Sequence, residues 1–442
     1  MELKENINVE FKKKFTTELK KEIVAFANTN EGTIYIGIDD FGNIIGIKNV
    51  DEVLNQVVLS IRNSIKPDIT MYCNSKIERI ENKDVIIIQV QRGALRPYYI
   101  ADKGLKPSGV YVRQGSSSVP ASEESIRKMI KETDGDSYEK LRSLNQDLTF
   151  DYTKKIFEKN ALLFGLSQKK TLGLIGEDDL YTNLALLLSD QCNHTLKVAV
   201  FEGIEKNIFK DRKEFKGSLL KQVTEAYEFI NLLNKTEATF EGLTRKDERD
   251  YPVEAIREAL LNAVIHREYS FSGSTLVNIY EDRIEFVSLG GIVSGLSLDS
   301  IMLGVSQSRN EKLADLMRRM GFCEEKGSGL DKVIFYNELY QLPPISVTIV
   351  ENRTKVVIYS YKALNDLDKK EKIQACYQHA CLKYVSNEKM SNQSLRERFE
   401  IEDKNAATAS RIIRDALDEN IIKEDDPENK SRKFKYYLPF WA

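Results

Sequence analysis

Histidine is scarce in this chain, with three residues among 442, so a metal cage built from several imidazoles is not expected. Cysteine is little commoner. The five present (Cys73, Cys192, Cys323, Cys376, Cys381) form no C-x-x-C pair and no zinc spacing, the pattern of reduced thiols in a cytosolic protein. Long apolar runs are missing as well. The longest, such as Val85 to Val90 or Leu186 to Leu188, fall far short of the roughly 20 residues that span a bilayer. The opening MELKENINVEFKKKF carries no apolar core, so no secretory signal is expected there. Net charge is nearly absent: 65 Lys and Arg against 68 Asp and Glu leave −3, and any nucleic-acid face must then be a local patch. Internal repeats and low-complexity tracts are lacking too. The expectation is a soluble, cytoplasmic chain with no membrane partner.

What is present suits a folded protein, with 41% hydrophobic and 30% charged residues. The length predicts two to four domains. Thr16 to Asn28 spaces Leu19, Ile23, Phe26 and Ala27 as an amphipathic helix. Thr33 to Asp39 alternates Ile34, Ile36 and Ile38 against polar neighbours as a strand, and Asp40-Phe41-Gly42-Asn43 turns into a short strand at Ile44 to Ile47. A helix over Asn49 to Ser64 and strands at Val85 to Gln91 and Gly109 to Arg113 complete an α+β domain. Four parts are expected: 1–134, a mixed connecting region 135–250, an α/β domain 251–365, and a final module 369–442.

The first domain gathers carboxylates near its strand ends: Glu5, Glu10 and Asp40, or its neighbour Asp39. Brought together, three carboxylates repel unless a divalent cation such as Mg²⁺ or Mn²⁺ neutralises them, and such a metal activates water against a phosphodiester. Residues five apart share no face of a regular element, so this reading needs a bend around Asn6 to Asn8. The alternative is that both aspartates merely form the turn before Gly42 and the glutamates are solvated. Lys12, Lys13, Lys14, Lys20 and Lys21 are either phosphate contacts or a solvated face, and Arg113 before Gln114-Gly115-Ser116 is either a phosphate contact or part of a β-turn.

ENINVEFK (Glu5 to Lys12), AFANTNEGTIYIGIDDFGNIIGI (Ala25 to Ile47) and GVYVRQGSSSVPAS (Gly109 to Ser122) together resemble the Schlafen AlbA-type (AlbA_2) domain. In eukaryotic Schlafen nucleases the two glutamates of this pattern and an acidic residue after the following strand bind metal and cut RNA. The resemblance therefore implies Glu5, Glu10 and Asp40 as a catalytic, metal-binding set, while prokaryotic relatives are described as DNA-binding domains.

A second constellation lies at Tyr251 to Tyr269. Pro252 suits a helix start. Glu258, Asn262 and His266 then stand at i, i+4 and i+8, one polar row beside an apolar stripe of Ile256, Leu260, Ala263 and Val264. A Glu above an Asn can activate water and hold Mg²⁺ at a triphosphate; surface hydrogen bonding explains the row equally well. Two strands follow, then Gly290, Gly291 and Gly295, then Gly327-Ser328-Gly329 opening a further helix, where free N–H groups can cradle phosphate.

EALLNAVIHREY, VSLGGI and SRNEKLADLMRRMGFCEEKGSGLDKV, in that order, resemble a divergent ATPase domain of the gyrase/histidine-kinase (GHKL) superfamily, an α/β sandwich found behind AlbA-type domains in predicted prokaryotic transcriptional regulators. The resemblance implies Glu258 as the water-activating base and Asn262 as the Mg²⁺ ligand. It places Gly290, Gly291, Gly327 and Gly329 around ATP. The usual D-x-G-x-G box departs here: Ser288-Leu289-Gly290-Gly291 lacks the Asp that reads adenine.

The tail predicts a winged helix. Ser391 to Phe399 and Asn405 to Glu419 are helices, and Lys423 to Tyr437 is a two-stranded wing. Arg411 and Arg414 would reach the major groove, with Lys430, Arg432, Lys433 and Lys435 on the backbone. Acidic and basic residues balance over Lys389 to Ala442, so protein docking is the competing use. The expected function is a nucleotide-gated, DNA-binding transcriptional regulator, with homo-oligomerisation expected. A Schlafen-type nuclease acting on RNA or DNA, possessing weak ATPase activity or none, is the alternative; an inert oligomeric scaffold is the third.

Overall fold

The computed structural model describes residues 5–134, 137–241, 244–293, 301, 307–323, 329–350, 352–428 and 435–442, with only the backbone at 131, 134, 236–241 and 244–248. The chain divides into two compact units. The first comprises Met1–Gln146 with Ile175–Thr182, the second Asp147–Leu174 with Asn183–Ala442.

In the first unit, β1 (Val9–Lys12) and β2 (Gly32–Ile36) run parallel on either side of helix α1 (Leu19–Asn28). Helix α2 (Val50–Ser64) follows, then a short β3 (Ile65–Lys66) and the long hairpin β4 (Cys73–Ile80) and β5 (Lys83–Val90). The main sheet has the order β1-β2-β5-β4. Short β6 (Tyr99–Ile100) pairs with β3, β7 (Tyr111–Gln114) pairs with β8 (Ser117–Pro120), and α3 (Glu123–Asp134) closes the run. The expected alternation in β2 is present: Ile34 and Ile36 are fully buried and pack with Leu19, Ile23 and Phe26 of α1. Gly32 opens the strand because a Cβ there would lie 2.1 Å from the Phe26 ring. Ile44 to Ile47, expected as a strand, contributes only an isolated bridge from Ile44 to Ile38.

Asn28, at the end of α1, is 3% exposed and ties this layer together. Its amide donates to the carbonyls of Tyr98 (2.8 Å) and Tyr111 (3.0 Å), and its Oδ1 accepts the Tyr98 N–H at 2.7 Å. Part of the connecting stretch also belongs to this unit. Ser143 N–H donates to Tyr181 O at 2.8 Å, and Leu180 packs on Tyr99, Val110 and Ile126.

The second unit begins with α4 (Asp151–Lys159), α5 (Leu166–Thr171) and α6 (Asn183–Leu188). Hairpin β9 (Thr195–Phe201) and β10 (Phe209–Phe215), helix α7 (Leu219–Leu233), and the hairpin β11 (Thr236–Glu241) and β12 (Thr244–Arg249) precede helix α8 (Val253–Ile265). Then come β13 (Ser274–Ile279), β14 (Arg283–Leu289), α9 (Glu311–Arg319), α10 (Leu330–Leu339), β15 (Ser346–Val350) and β16 (Arg353–Tyr359). They form one six-stranded sheet of order β10-β9-β13-β14-β16-β15, in which β9 and β13 are parallel. Helix α8 is apolar nearly all round, as its place between this sheet and α7 and α10 requires.

The tail holds α11 (Lys369–Val385), β17 (Met390–Ser391), α12 (Asn392–Arg398), α13 (Ala406–Asp418), β18 (Ile422–Glu424) and β19 (Tyr436–Pro439), with sheet order β17-β19-β18. Ile412 and Ala416 of α13 are buried. No described helix is long and apolar enough to cross a membrane.

Replacing Asn28 by Ala strands two buried carbonyls and one N–H. We expect a loss of about 3 kcal/mol from the first unit, read as a lower urea midpoint at unchanged slope. An unchanged midpoint would show that Asn28 does not hold the layer.

Candidate functional site

Two places concentrate polar chemistry, one in each unit. In the first unit, the chain bends between Asn6 and Val9, each of which donates its N–H to the other's carbonyl. Glu5 thereby folds back along β1, where its Oε1 accepts the Phe11 N–H at 2.9 Å. Glu10, on β1, is buried and faces Arg113 of β7: Arg113 Nη1 donates to Glu10 Oε2 at 2.9 Å and to Glu22 Oε2 at 3.2 Å. Lys12 pairs with Glu10 and lies 3.9 Å from Glu22, and Ser118 donates to Glu22. Arg113 also reaches the Asn6 carbonyl at 3.0 Å and covers the Phe26 ring.

The result is a buried lattice of two carboxylates and two cations. Arg113, expected as a phosphate contact, has a side chain 1% exposed and turned inward. Glu22 was not anticipated. The signal was available, since Glu22 stands three residues after Leu19 and four before Phe26, a charge on the core stripe of α1. Burial pushes its carboxyl above the ordinary range, with neighbouring Glu10 adding to this and Ser118, Lys12 and Arg113 opposing it.

Asp39 caps the turn, accepting the N–H groups of Phe41 (3.0 Å) and Asn43 (2.8 Å), while Asp40 is exposed beside it. Among the described residues, no three His, Cys, Asp or Glu side chains converge as a metal site. As arranged, Lys12 and Arg113 already balance Glu10 and Glu22, so the donor set does not fit a divalent cation. Lys14 is exposed.

The second place is a cavity of about 120 Å³ between α8 and the sheet. Ala259, Asn262, Ala263 and His266 present one face of α8 to it. Opposite them stand Phe286 and Ser288 of β14 with their cross-strand partners Val356 and Thr354 of β16. Residues two apart on a strand share a face, which is why these four meet the same space. Gly291, Gly329 and Leu330 complete the lining with Ile292, Val293, Ile301, Gln307 and Val333.

Glu258 lies one turn before Asn262 and is hydrogen-bonded to it. It is 5% exposed, and burial raises its carboxyl above the usual range against the pull of Lys332 and Arg257. That is the direction a general base working near neutrality needs. Burial also lowers His266 to about 4, with Arg309 contributing, so its imidazole is neutral. Gly290 holds a φ of +109° and donates its N–H to Asn352 O, while Thr354 Oγ1 donates to Gly290 O at 2.9 Å.

Arg309 and Asn310 fix this geometry. Arg309 Nε donates to His266 O (3.2 Å), Nη2 to Gly291 O (2.9 Å) and Nη1 to Glu268 (3.0 Å). Asn310 donates to the carbonyls of Ile265 (2.7 Å) and Arg267 (2.8 Å). Nothing in the spacing of the sequence marked either residue for this task. Gly327, Arg432 and Lys433 lie outside the described residues. Arg411 and Arg414 are exposed on α13.

Residues 1–122 match the family described as "Schlafen, AlbA_2", and residues 274–358 match that described as "Putative ATP-dependent DNA helicase recG C-terminal". The chain joins a Schlafen AlbA_2 domain to a recG-like ATPase domain. The second match runs from β13 to β16 and takes in Ser288, Gly290, Gly291 and Thr354. The polar row of α8 lies just upstream of it. A solved structure, the DIP2311 protein from Corynebacterium diphtheriae, is similar at 19% identity and a TM-score of 0.48, over 98% of this chain and 92% of that one. No curated protein matches.

Substituting Arg113 by Met in the AlbA_2 domain leaves Glu10 and Glu22 buried with Lys12 alone. We expect a loss of about 3–5 kcal/mol at neutral pH. A carboxyl whose folded pKa is raised stabilises at low pH and loses that contribution as pH rises through the folded value. The penalty should therefore shrink toward acid as Glu22 protonates. A penalty independent of pH in chemical denaturation would refute the charge account.

Proposed function

We propose that this chain is a nucleic-acid-binding regulator whose hold on DNA is set by a nucleotide in the cavity of the ATPase-like domain. The observation that carries the reading is the cavity itself, with Asn262 on its wall and buried Glu258 bonded behind it. In this reading a triphosphate lies toward Gly291 and Gly329, at the exposed N–H groups opening α10. Asn262 would hold Mg²⁺, which offsets the phosphate charge. Glu258 takes the proton of the attacking water.

The order helix, strand, two helices and a closing hairpin in the tail supports a winged helix, with Arg411 and Arg414 free to meet phosphates. Contacts of this kind release counterions and weaken with salt. The test is duplex DNA binding across a salt series, with and without ATP and Mg²⁺. We expect affinity to fall with salt and ATP to change it several-fold. In Glu258→Gln, hydrolysis should drop about 100-fold or more while the ATP effect on DNA persists. Binding indifferent to ATP would defeat the gating proposal.

A second reading, a metal-dependent nuclease, draws on Glu10 and Glu22 lying together; it requires Lys12 and Arg113 to yield those carboxylates to a cation. Labelled RNA and duplex DNA incubated with Mn²⁺ should stay intact if the lattice holds. Cleavage abolished by EDTA and by Glu10→Ala would establish the nuclease instead.

A further inference from the structure

The same cavity carries information about which base it takes. Its polar lining among the described residues is Asn262, His266, Ser288, Gln307 and Thr354. None of these is charged at neutral pH, and no carboxylate is among them. Ser288 stands on β14 two residues before Gly290, with a hydroxyl and no carboxylate to offer the cavity, and Thr354 faces it across the strand pair. The remaining lining is apolar, chiefly Ala259, Ala263, Phe286, Val333 and Val356, which suits the flat faces of one ring system. At about 120 Å³ the enclosed part is well below the roughly 300–1,000 Å³ of a drug-sized site, room for a base rather than a whole nucleotide.

We infer that this cavity accepts 6-oxo purines as readily as 6-amino purines, because hydroxyl, imidazole and amide groups replace the obligatory acceptor. The inference rests on the nucleotide reading above and sharpens it.

The chemistry is that of reversible groups. An ionised carboxylate only accepts hydrogen bonds, so it favours an amine and repels a keto oxygen. A serine hydroxyl rotates, accepting from an amine or donating to a carbonyl. Thr354 spends its proton on Gly290 O and is left only to accept, whereas Ser288, 6% exposed, makes no such commitment among the described residues. The imidazole of His266 lines the same space one turn beyond Asn262. Sites gain discrimination of 10⁴ or more by leaving a dedicated polar group unpaired with the wrong ligand. Here Ser288 can pair either way, and among the described lining residues no carboxylate is left unpaired by an oxo purine, so that penalty falls away.

The experiment is equilibrium binding of ATP, GTP and ITP, each with Mg²⁺, to the full chain. We expect the three dissociation constants to agree within about tenfold, and Ser288→Asp to shift the ratio toward ATP by tenfold or more. ATP binding more than a hundredfold tighter than both oxo purines would overturn the inference while leaving the nucleotide reading intact. Failure of all three to bind would overturn both. The wild-type comparison decides the matter even if the aspartate variant does not fold.

Discussion

The second unit depends on how the C-terminal end of α8 is closed. A helix leaves its last carbonyls without partners, and an apolar helix inside a fold has no water to supply them. Asn310 meets the last helical carbonyl, Ile265, and that of Arg267 just beyond the helix, while Arg309 meets that of the cap residue His266. Each unmet buried carbonyl would cost on the order of 1–3 kcal/mol, so this closure decides where α8 can stop. Arg309 does more than cap, because its other nitrogens hold Gly291 and Glu268. One side chain thus ties the helix end to the loop after β14. Residues of both that helix and that loop line the cavity. A Cβ on Gly290 would come 3.2 Å from the Glu268 nitrogen, so the loop can approach this closely only with glycine there.

The first unit settles a different problem of buried polarity. Glu10 and Glu22 both belong to core-facing positions, and neither can be ionised there alone without a large desolvation cost. Arg113 serves both with one nitrogen, stacks on Phe26 and takes the Asn6 carbonyl with its other nitrogen. Such a lattice adds little net stability over an apolar replacement, yet it penalises any arrangement in which a partner is missing. It therefore ties β1 to α1 and to β7, which belongs to a separate sheet. The same pairing explains why three carboxylates that look alike in sequence differ in space. Glu5 is drawn to backbone N–H, Glu10 to a guanidinium, and Asp40 to solvent.

Period-2 and period-3.6 patterns were legible wherever one face is buried. The helix over Leu19–Asn28, the strand over Gly32–Ile36 and the two helices of the tail lie within a few residues of where spacing predicts them. β4 and β10 were not legible, since Cys73–Ile80 buries no residue fully and Phe209–Phe215 is almost wholly exposed and charged. They are strands because neighbouring backbones offer hydrogen bonds, which no local pattern records. In the cavity, the row Glu258, Asn262, His266 could be read from the sequence because a helix repeats on one face. The pairing of Ser288 with Thr354 could not, for it depends on the register of two strands far apart in the chain.

These two sites handle charge in opposite ways, and the contrast bears on what each can recognise. In the first unit opposite charges are matched inside the protein, so the side chains with most chemical character face one another. In the second unit charge is kept off the cavity wall, with Glu258 set behind Asn262 and Arg309 engaged with carbonyls. Among the described residues, that wall offers hydrogen bonds and apolar faces rather than net charge. In the nucleotide reading proposed above, a base lying between Ala259, Ala263 and the sheet would be oriented by Ser288 and the imidazole of His266, apart from the phosphates at Gly291 and Gly329.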